Sequence, residues 1–244
     1  MTRPIRYLLL QVRNHDDAMR KQELTCFAQA LCCDESQFRV VDFLHEKLAR
    51  DQLDQNDVVL IGGSGHYGAV DDAPWLDQTL DGLREIHRLS KPTFGSCWGF
   101  QAMSRALGGS VAKDLENAEL GTHPLRLTTN GLEDPVFGPL DPQFYGQMGH
   151  EDRVLQLPED AILLASSTRV ENQAYRFRGK PIYCTQFHPE LTKDRLLERV
   201  RAYPEYVERI SGLPYSEFEA TCQETPQTTQ LLARFVRLVM QKAA

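Results

Sequence analysis

The chain has 244 residues, 41% of them hydrophobic and 25% charged, the composition of a globular protein with a sizeable core. Its 27 basic residues against 34 acidic ones give a net charge of -7, which leaves no cationic excess to neutralise nucleic-acid phosphates. No apolar run approaches the length that spans a bilayer, so neither nucleic acid nor a membrane is an expected partner.

The run from Arg6 to Val12 is almost wholly apolar and predicts a central strand covered on both faces. Met1 to Arg6 leads straight into it without the pattern of a signal peptide. Six cysteines (Cys26, Cys32, Cys33, Cys97, Cys184, Cys222) lie scattered without metal-ligand spacing. Together these features predict thiols in a reducing cytoplasm and no bound metal. Ala18 to Leu31 follows with Leu24, Phe27 and Leu31 on one helical stripe, then Phe38 to Leu44 reads as a second strand. Asp57 to Ile61 reads as a third strand and ends in Gly62-Gly63-Ser64-Gly65. Pro74 opens a helix that carries Trp75, Leu76, Leu80, Leu83 and Ile86. This alternation predicts a parallel sheet with helices on both faces.

The stretch Gly95-Ser96-Cys97-Trp98-Gly99 comes next, between the short apolar run Thr93-Phe94 and a helical pattern of Phe100, Met103, Ala106 and Leu107. Glycines two residues either side of a nucleophile mark a strand-to-helix elbow, which holds the central side chain out in a strained pose. The following helix points free amides and a positive dipole end at the sulfur, favouring thiolate. The Trp98 amide is then placed to donate to an oxyanion.

Beyond Gly109, strands are predicted around Leu125–Thr128, Gln143–Tyr145, Ile162–Ala165, Ala174–Phe177 and Ile182–Phe187, with a hairpin turn at Arg178-Gly179-Lys180. From Leu191 the pattern is helical again: Leu196, Leu197 and Val200 form one block and Leu231, Leu232, Phe235, Val236 and Val239 another. Leu213-Pro214 separates them. The expected organisation is one domain over 1–244, with 191–244 as a helical carboxy-terminal addition.

A cysteine nucleophile requires a base that takes its proton and later delivers it to a leaving amine. His188 is the best placed of seven histidines, because it follows a strand and groups in open α/β sheets act at carboxyl strand ends. Glu190 follows across a proline and can accept the other imidazole N–H. Amides of the Gly62–Gly65 turn offer a second oxyanion donor. That turn lacks both the Gly-Lys-Ser/Thr of a Walker loop and the Gly-x-Gly-x-x-Gly fingerprint.

Gly62-Gly63 after a strand, Gly95-x-Cys97-x-Gly99-x-Gln101, Met148-Gly-His-Glu-Asp152 and Gln186-Phe-His-Pro-Glu190 occur in an order that resembles the class I, triad-type glutamine amidotransferases. The likeness is to the domain attached to GMP synthetase and to free-standing relatives that include the plant γ-glutamyl peptidases. It covers roughly the first four fifths of the chain. The resemblance implies a flavodoxin-like α/β/α sandwich with a mostly parallel sheet. It further implies Cys97 as nucleophile, His188 as base and acid, and Glu190 as its orienter. Gly63 and Trp98 become the oxyanion donors, while Gln101 and the segment Gly149, His150 and Glu151 hold the amino-acid end of the substrate. His150 is left with two readings, pointing into the pocket or bracing the loop. Gly149-His-Glu-Asp152 departs from the usual Ser-His-Gly-Asp of the GMP-synthetase type, which predicts a different amino-acid pocket.

The implied reaction is hydrolysis of a γ-glutamyl amide through a cysteine thioester, with no cofactor. The implied substrate is glutamine or a γ-glutamyl compound, and the alternative is a γ-glutamyl peptidase. A third reading is a partner-gated subunit that feeds an ammonia-accepting synthetase. Neither the leaving amine nor the oligomeric state is readable from the residues.

Overall fold

The computed structural model describes residues 3–243; Met1 and Thr2, the first residues of the predicted lead-in, lie outside them. The elements in chain order are β1 (Tyr7–Val12), α1 (Met19–Ala30), β2 (Phe38–Asp42), α2 (Arg50–Gln55), β3 (Val58–Ser64), α3 (Pro74–Arg88), β4 (Thr93–Ser96) and α4 (Trp98–Ala106). They continue with β5 (Ser110–Lys113), β6 (Glu119–Leu127), α5 (Thr129–Leu132), β7 (Gln143–His150), β8 (Asp152–Gln156), β9 (Ala161–Ser166), β10 (Ala174–Phe177) and β11 (Ile182–Thr185). The chain closes with α6 (Lys193–Ala202), a π-helical turn (Val207–Ser211), α7 (Tyr215–Thr221) and α8 (Leu231–Ala243).

Nine strands form one sheet in the order β2-β1-β3-β4-β11-β10-β9-β6-β7. The first five pair in parallel and the remainder antiparallel. Alternation along β1 explains the layering. Leu8, Leu10 and Val12 enter a core with α3 and α4, while Tyr7 and Leu9 enter the opposite core with Phe27 of α1 and Phe235 of α8. The last helix therefore covers sheet: the Phe235 ring lies 5.5 Å from that of Phe94 and 5.6 Å from that of Tyr183. A third cluster joins Leu196, Leu197 and Val200 of α6 to Cys26 of α1 and Leu120 of β6.

This is the expected mostly parallel α/β sandwich, and the predicted hairpin joins β10 to β11 with Gly179 at φ +69°. Five elements were not predicted: α2, α5, α7, and the two-stranded sheet of β5 and β8. The three helices are only six, four and seven residues long. The strand β7 runs five residues past its predicted end, to His150, because Met148, Gly149 and His150 pair with Gly121, Leu120 and Glu119 of β6. Conversely, β11 stops at Thr185, which releases Gln186 to His188 from the ladder.

Candidate active site

Three neighbouring strands, β3, β4 and β11, bring the sequence-predicted residues to one place. Register sets Ile61 beside Gly95 and Thr185 beside Ser96, so the segments leaving the carboxyl ends of all three emerge together. Cys97 stands between β4 and α4 with φ 52° and ψ -101°. Such a conformation costs about 1–3 kcal/mol in a non-glycine residue and persists only when its surroundings over-determine it. Here the Cys97 N–H donates to the Thr185 carbonyl at 2.8 Å, and the Cys97 carbonyl accepts from the Gln101 N–H at 3.1 Å. The flanking glycines are needed for close approach. A Cβ on Gly99 would sit 2.8 Å from Ile61 Cβ, and one on Gly95 would sit 3.1 Å from the Gly99 carbonyl carbon.

His188 and Glu190 meet this elbow from the chain after β11. The His188 Nδ1–H donates to Glu190 Oε1 at 2.7 Å, which leaves Nε2 for the cysteine side. Cys97, His188 and Glu190 are 6%, 4% and 3% exposed. Burial alone would lower the His188 pKa; the Glu190 carboxylate and the Cys97 sulfur outweigh it and hold the imidazole up at about 9. Burial pushes Glu190 upward, and the facing imidazolium with Arg199 reverses this to a net lowering. Cys97 Sγ lies 3.6 Å from the Gly149 carbonyl oxygen and 3.8 Å from Gln186 Nε2.

The remaining expectations fare differently. Trp98 is the first residue of α4, so its amide has no partner within the helix. Gly63 borders both His188 and Cys97, since a Cβ there would lie 3.0 Å from His188 Cε1 and 3.8 Å from Cys97 Cβ. Its N–H, however, donates to Glu23 Oε1 at 3.1 Å and so is not free for an oxyanion in this conformation. The cause is a buried carboxylate behind the glycine turn, where Glu23 also pairs with Arg13 (3.1 Å) and accepts from Gln11 (2.9 Å).

His150 borders the cavity, with its side chain turned into the fold. Its ring nitrogens lie 3.1 Å from Glu119 Oε2 and 3.1 Å from the Asp152 carbonyl, so it braces the β6–β7 end. Gln101 borders the cavity, but its amide NH2 is occupied by the Asp152 carbonyl (2.8 Å) and Gln186 Oε1 (3.2 Å). The Glu151 carboxylate pairs with Arg209 and with Lys113, the latter at 3.2 Å.

Above Cys97 opens a cavity of about 320 Å³, bordered by Ser64, Tyr67, Gln101, Glu151, Tyr206 and Arg209. Nothing in the residue pattern indicates that the segment after α6 forms one wall. Tyr206 donates its hydroxyl to the Gly65 carbonyl at 3.0 Å, and the Arg209 guanidinium lies 5.0 Å over the Tyr206 ring. Arg13 and Glu23 were also missed, although both left a trace. Arg13 directly follows a central strand, and Glu23 sits one helical turn before Phe27 on the buried side of α1.

The family model described as glutamine amidotransferase class-I matches residues 17–198. Among curated proteins, γ-glutamyl peptidase 3 of Arabidopsis thaliana is 30% identical over 200 residues, covering 79% of this chain and 75% of that protein. One subunit of a glutamine-hydrolysing GMP synthase from Methanothermobacter thermautotrophicus is 33% identical over 127 residues, covering 52% of this chain and 66% of its own. A glutamine amidotransferase from Thermotoga maritima has the same fold, with a TM-score of 0.76 at 22% identity over 97% of this chain and 98% of that one. A nucleophile-elbow cysteine beside a buried His–Glu pair and a match across most of the length agree: the chain belongs to the class-I glutamine amidotransferase family.

Proposed function

We propose that the chain hydrolyses γ-glutamyl amides, with Cys97, His188 and Glu190 as the reacting group. The Cys97 thiolate attacks the γ-carbonyl carbon, forming a C–S bond and an oxyanion that the Trp98 amide stabilises. The oxyanion collapses, the C–N bond breaks, and the His188 imidazolium gives its proton to the departing amine. Water then surrenders a proton to His188 Nε2 and attacks the thioester. The C–S bond breaks, glutamate leaves and the thiolate is restored. Glu190 keeps the imidazole in the required tautomer throughout. These steps balance on side chains alone. The observation that carries the reading is the strained Cys97 beside a His188 whose Nδ1 is bonded to buried Glu190. Gln101 and the Gly149–Glu151 backbone, which border the cavity, are assigned to the amino-acid end of the substrate.

A larger leaving amine is favoured by the cavity. It offers about 320 Å³ above Cys97, and γ-glutamyl peptidase 3 aligns over most of both chains. Partner gating has its own support, because the Gly63 amide must leave Glu23 before it joins Trp98 at an oxyanion. Glutamate release from glutamine and from γ-glutamyl dipeptides, with Cys97→Ala as control, separates the readings. Dipeptide preference supports the peptidase, and glutamine preference supports ammonia release. Turnover that appears only with an added synthetase supports gating. Full turnover by Cys97→Ala overturns the proposal.

A further inference from the structure

Arg199 reaches the site from α6, outside the motifs that carry Cys97, His188 and Glu190. Its guanidinium is buried and held flat by α1: Nε and one terminal nitrogen donate to Gln22 Oε1 at 3.1 and 3.0 Å. The other terminal nitrogen lies 3.6 Å from Glu190 Oε1 and 3.4 Å from His188 Nδ1. Since His188 Nδ1 already donates to Glu190, that nitrogen has no lone pair to offer, and Arg199 acts on the ring only as a charge. It attracts the carboxylate and repels the imidazolium. Glu190 Oε2 is buried with no hydrogen-bond partner, so among the described side chains His188 and Arg199 compensate this carboxylate.

We propose that Arg199 is a positioning residue for the hydrolysis assigned above: it clamps Glu190 in the orientation that fixes His188 and limits how tightly the imidazole keeps its proton. This rests on the assignment of Cys97, His188 and Glu190 as the reacting group. The second effect matters chemically, because an imidazolium that holds its proton too firmly is a poor acid toward the leaving amine. Other charged or titratable groups around the pair leave the task to Arg199. Arg13 and Glu23 lie behind the Gly62-Gly63 turn and neutralise one another at 3.1 Å. Burial keeps Cys26 on α1 a neutral thiol, its pKa raised to about 12, and keeps Tyr203 and Tyr206 after α6 neutral. The carboxy-terminal segment thereby contributes to the reacting centre as well as to packing.

The test is an NMR titration of the His188 imidazole, which needs no turnover, together with kcat and KM for a γ-glutamyl amide. In Arg199→Met the His188 midpoint is expected to move up by about one pH unit. Its kcat is expected to fall about ten- to a hundredfold with KM little changed. Arg199→Lys keeps the charge and returns the midpoint to the wild-type position. Gln22→Leu keeps Arg199 but removes its hold, and lowers kcat less than Arg199→Met does. An unmoved midpoint in a folded Arg199→Met, or a Lys variant indistinguishable from Met, overturns the proposal. Retained turnover in Cys97→Ala is a separate failure, that of the reacting-group assignment, and it is read without any Arg199 variant.

Discussion

At the residue scale, the chemistry follows from a few enforced geometries. Cys97 tolerates a positive φ because the Thr185 carbonyl and the first turn of α4 hold its backbone from both sides. His188 carries a raised pKa despite burial, because Glu190 lies 2.7 Å away. The sign of the resulting pH dependence is fixed. The His188 contribution to stability is fully present below its unfolded value near 6.5 and is lost as pH rises through about 9. The Glu190 contribution has the opposite sense: it is present above the ordinary carboxylate range and is lost as pH falls through its lowered value. In the proposed hydrolysis, the alkaline limb of kcat/KM is expected near pH 9, where the imidazolium assigned to protonate the amine disappears. Glu190→Gln removes the stabilising charge, so that limb should move to lower pH and kcat should drop about a hundredfold or more. A pH-rate profile of both proteins checks this, and a limb that stays in place would detach His188 from the leaving-group step.

At the element scale, the site is an intersection of strand ends with helix starts, and part of it was legible from pattern alone. The elbow motif identified Cys97 because two glycines, an apolar strand and a helical period each have local causes. His188 and Glu190 were legible because a strand precedes them. The Arg13–Glu23 pair was not, since a charge on a helix reads as solvated until the sheet is assembled around it. That pair has a measurable consequence. Glu23→Ala removes the nearer carboxylate from the buried Arg13 guanidinium, leaving Asp17 at 3.3 Å, and should destabilise the fold by about 3 kcal/mol in urea denaturation. Gly99→Ala tests packing at the elbow itself. Its Cβ would press on Ile61, at a cost of about 1–3 kcal/mol, and would push the start of α4 away from β3. A fall in kcat alongside the lost stability is expected, because the Trp98 amide moves with that helix end.

At the scale of the whole molecule, the two ends of the carboxy-terminal region do different work. The segment from α6 through the π-helical turn walls the cavity with Tyr206 and Arg209, whereas α8 packs on the opposite core. Amphipathic stripes announced helices in both places, but periodicity carries no information about which layer a helix joins. For the same reason β5 and β8 went unread: they pair only with each other, across some forty residues of intervening chain. The division predicts separable effects. Phe235→Ala, which removes a ring packed on Phe94 and Tyr183, should cost about 3–5 kcal/mol in urea denaturation yet leave KM close to wild type. Tyr206→Phe removes only the hydroxyl bond to the Gly65 carbonyl, worth about 1 kcal/mol, and should instead raise KM.

The most direct measurement of the central claim is mass spectrometry of the protein quenched in acid during turnover of a γ-glutamyl amide. A γ-glutamyl adduct on the peptide that contains Cys97, absent from Cys97→Ala, is the expected result. Continued glutamate release by Cys97→Ala, or an adduct that maps to another cysteine, would contradict the account.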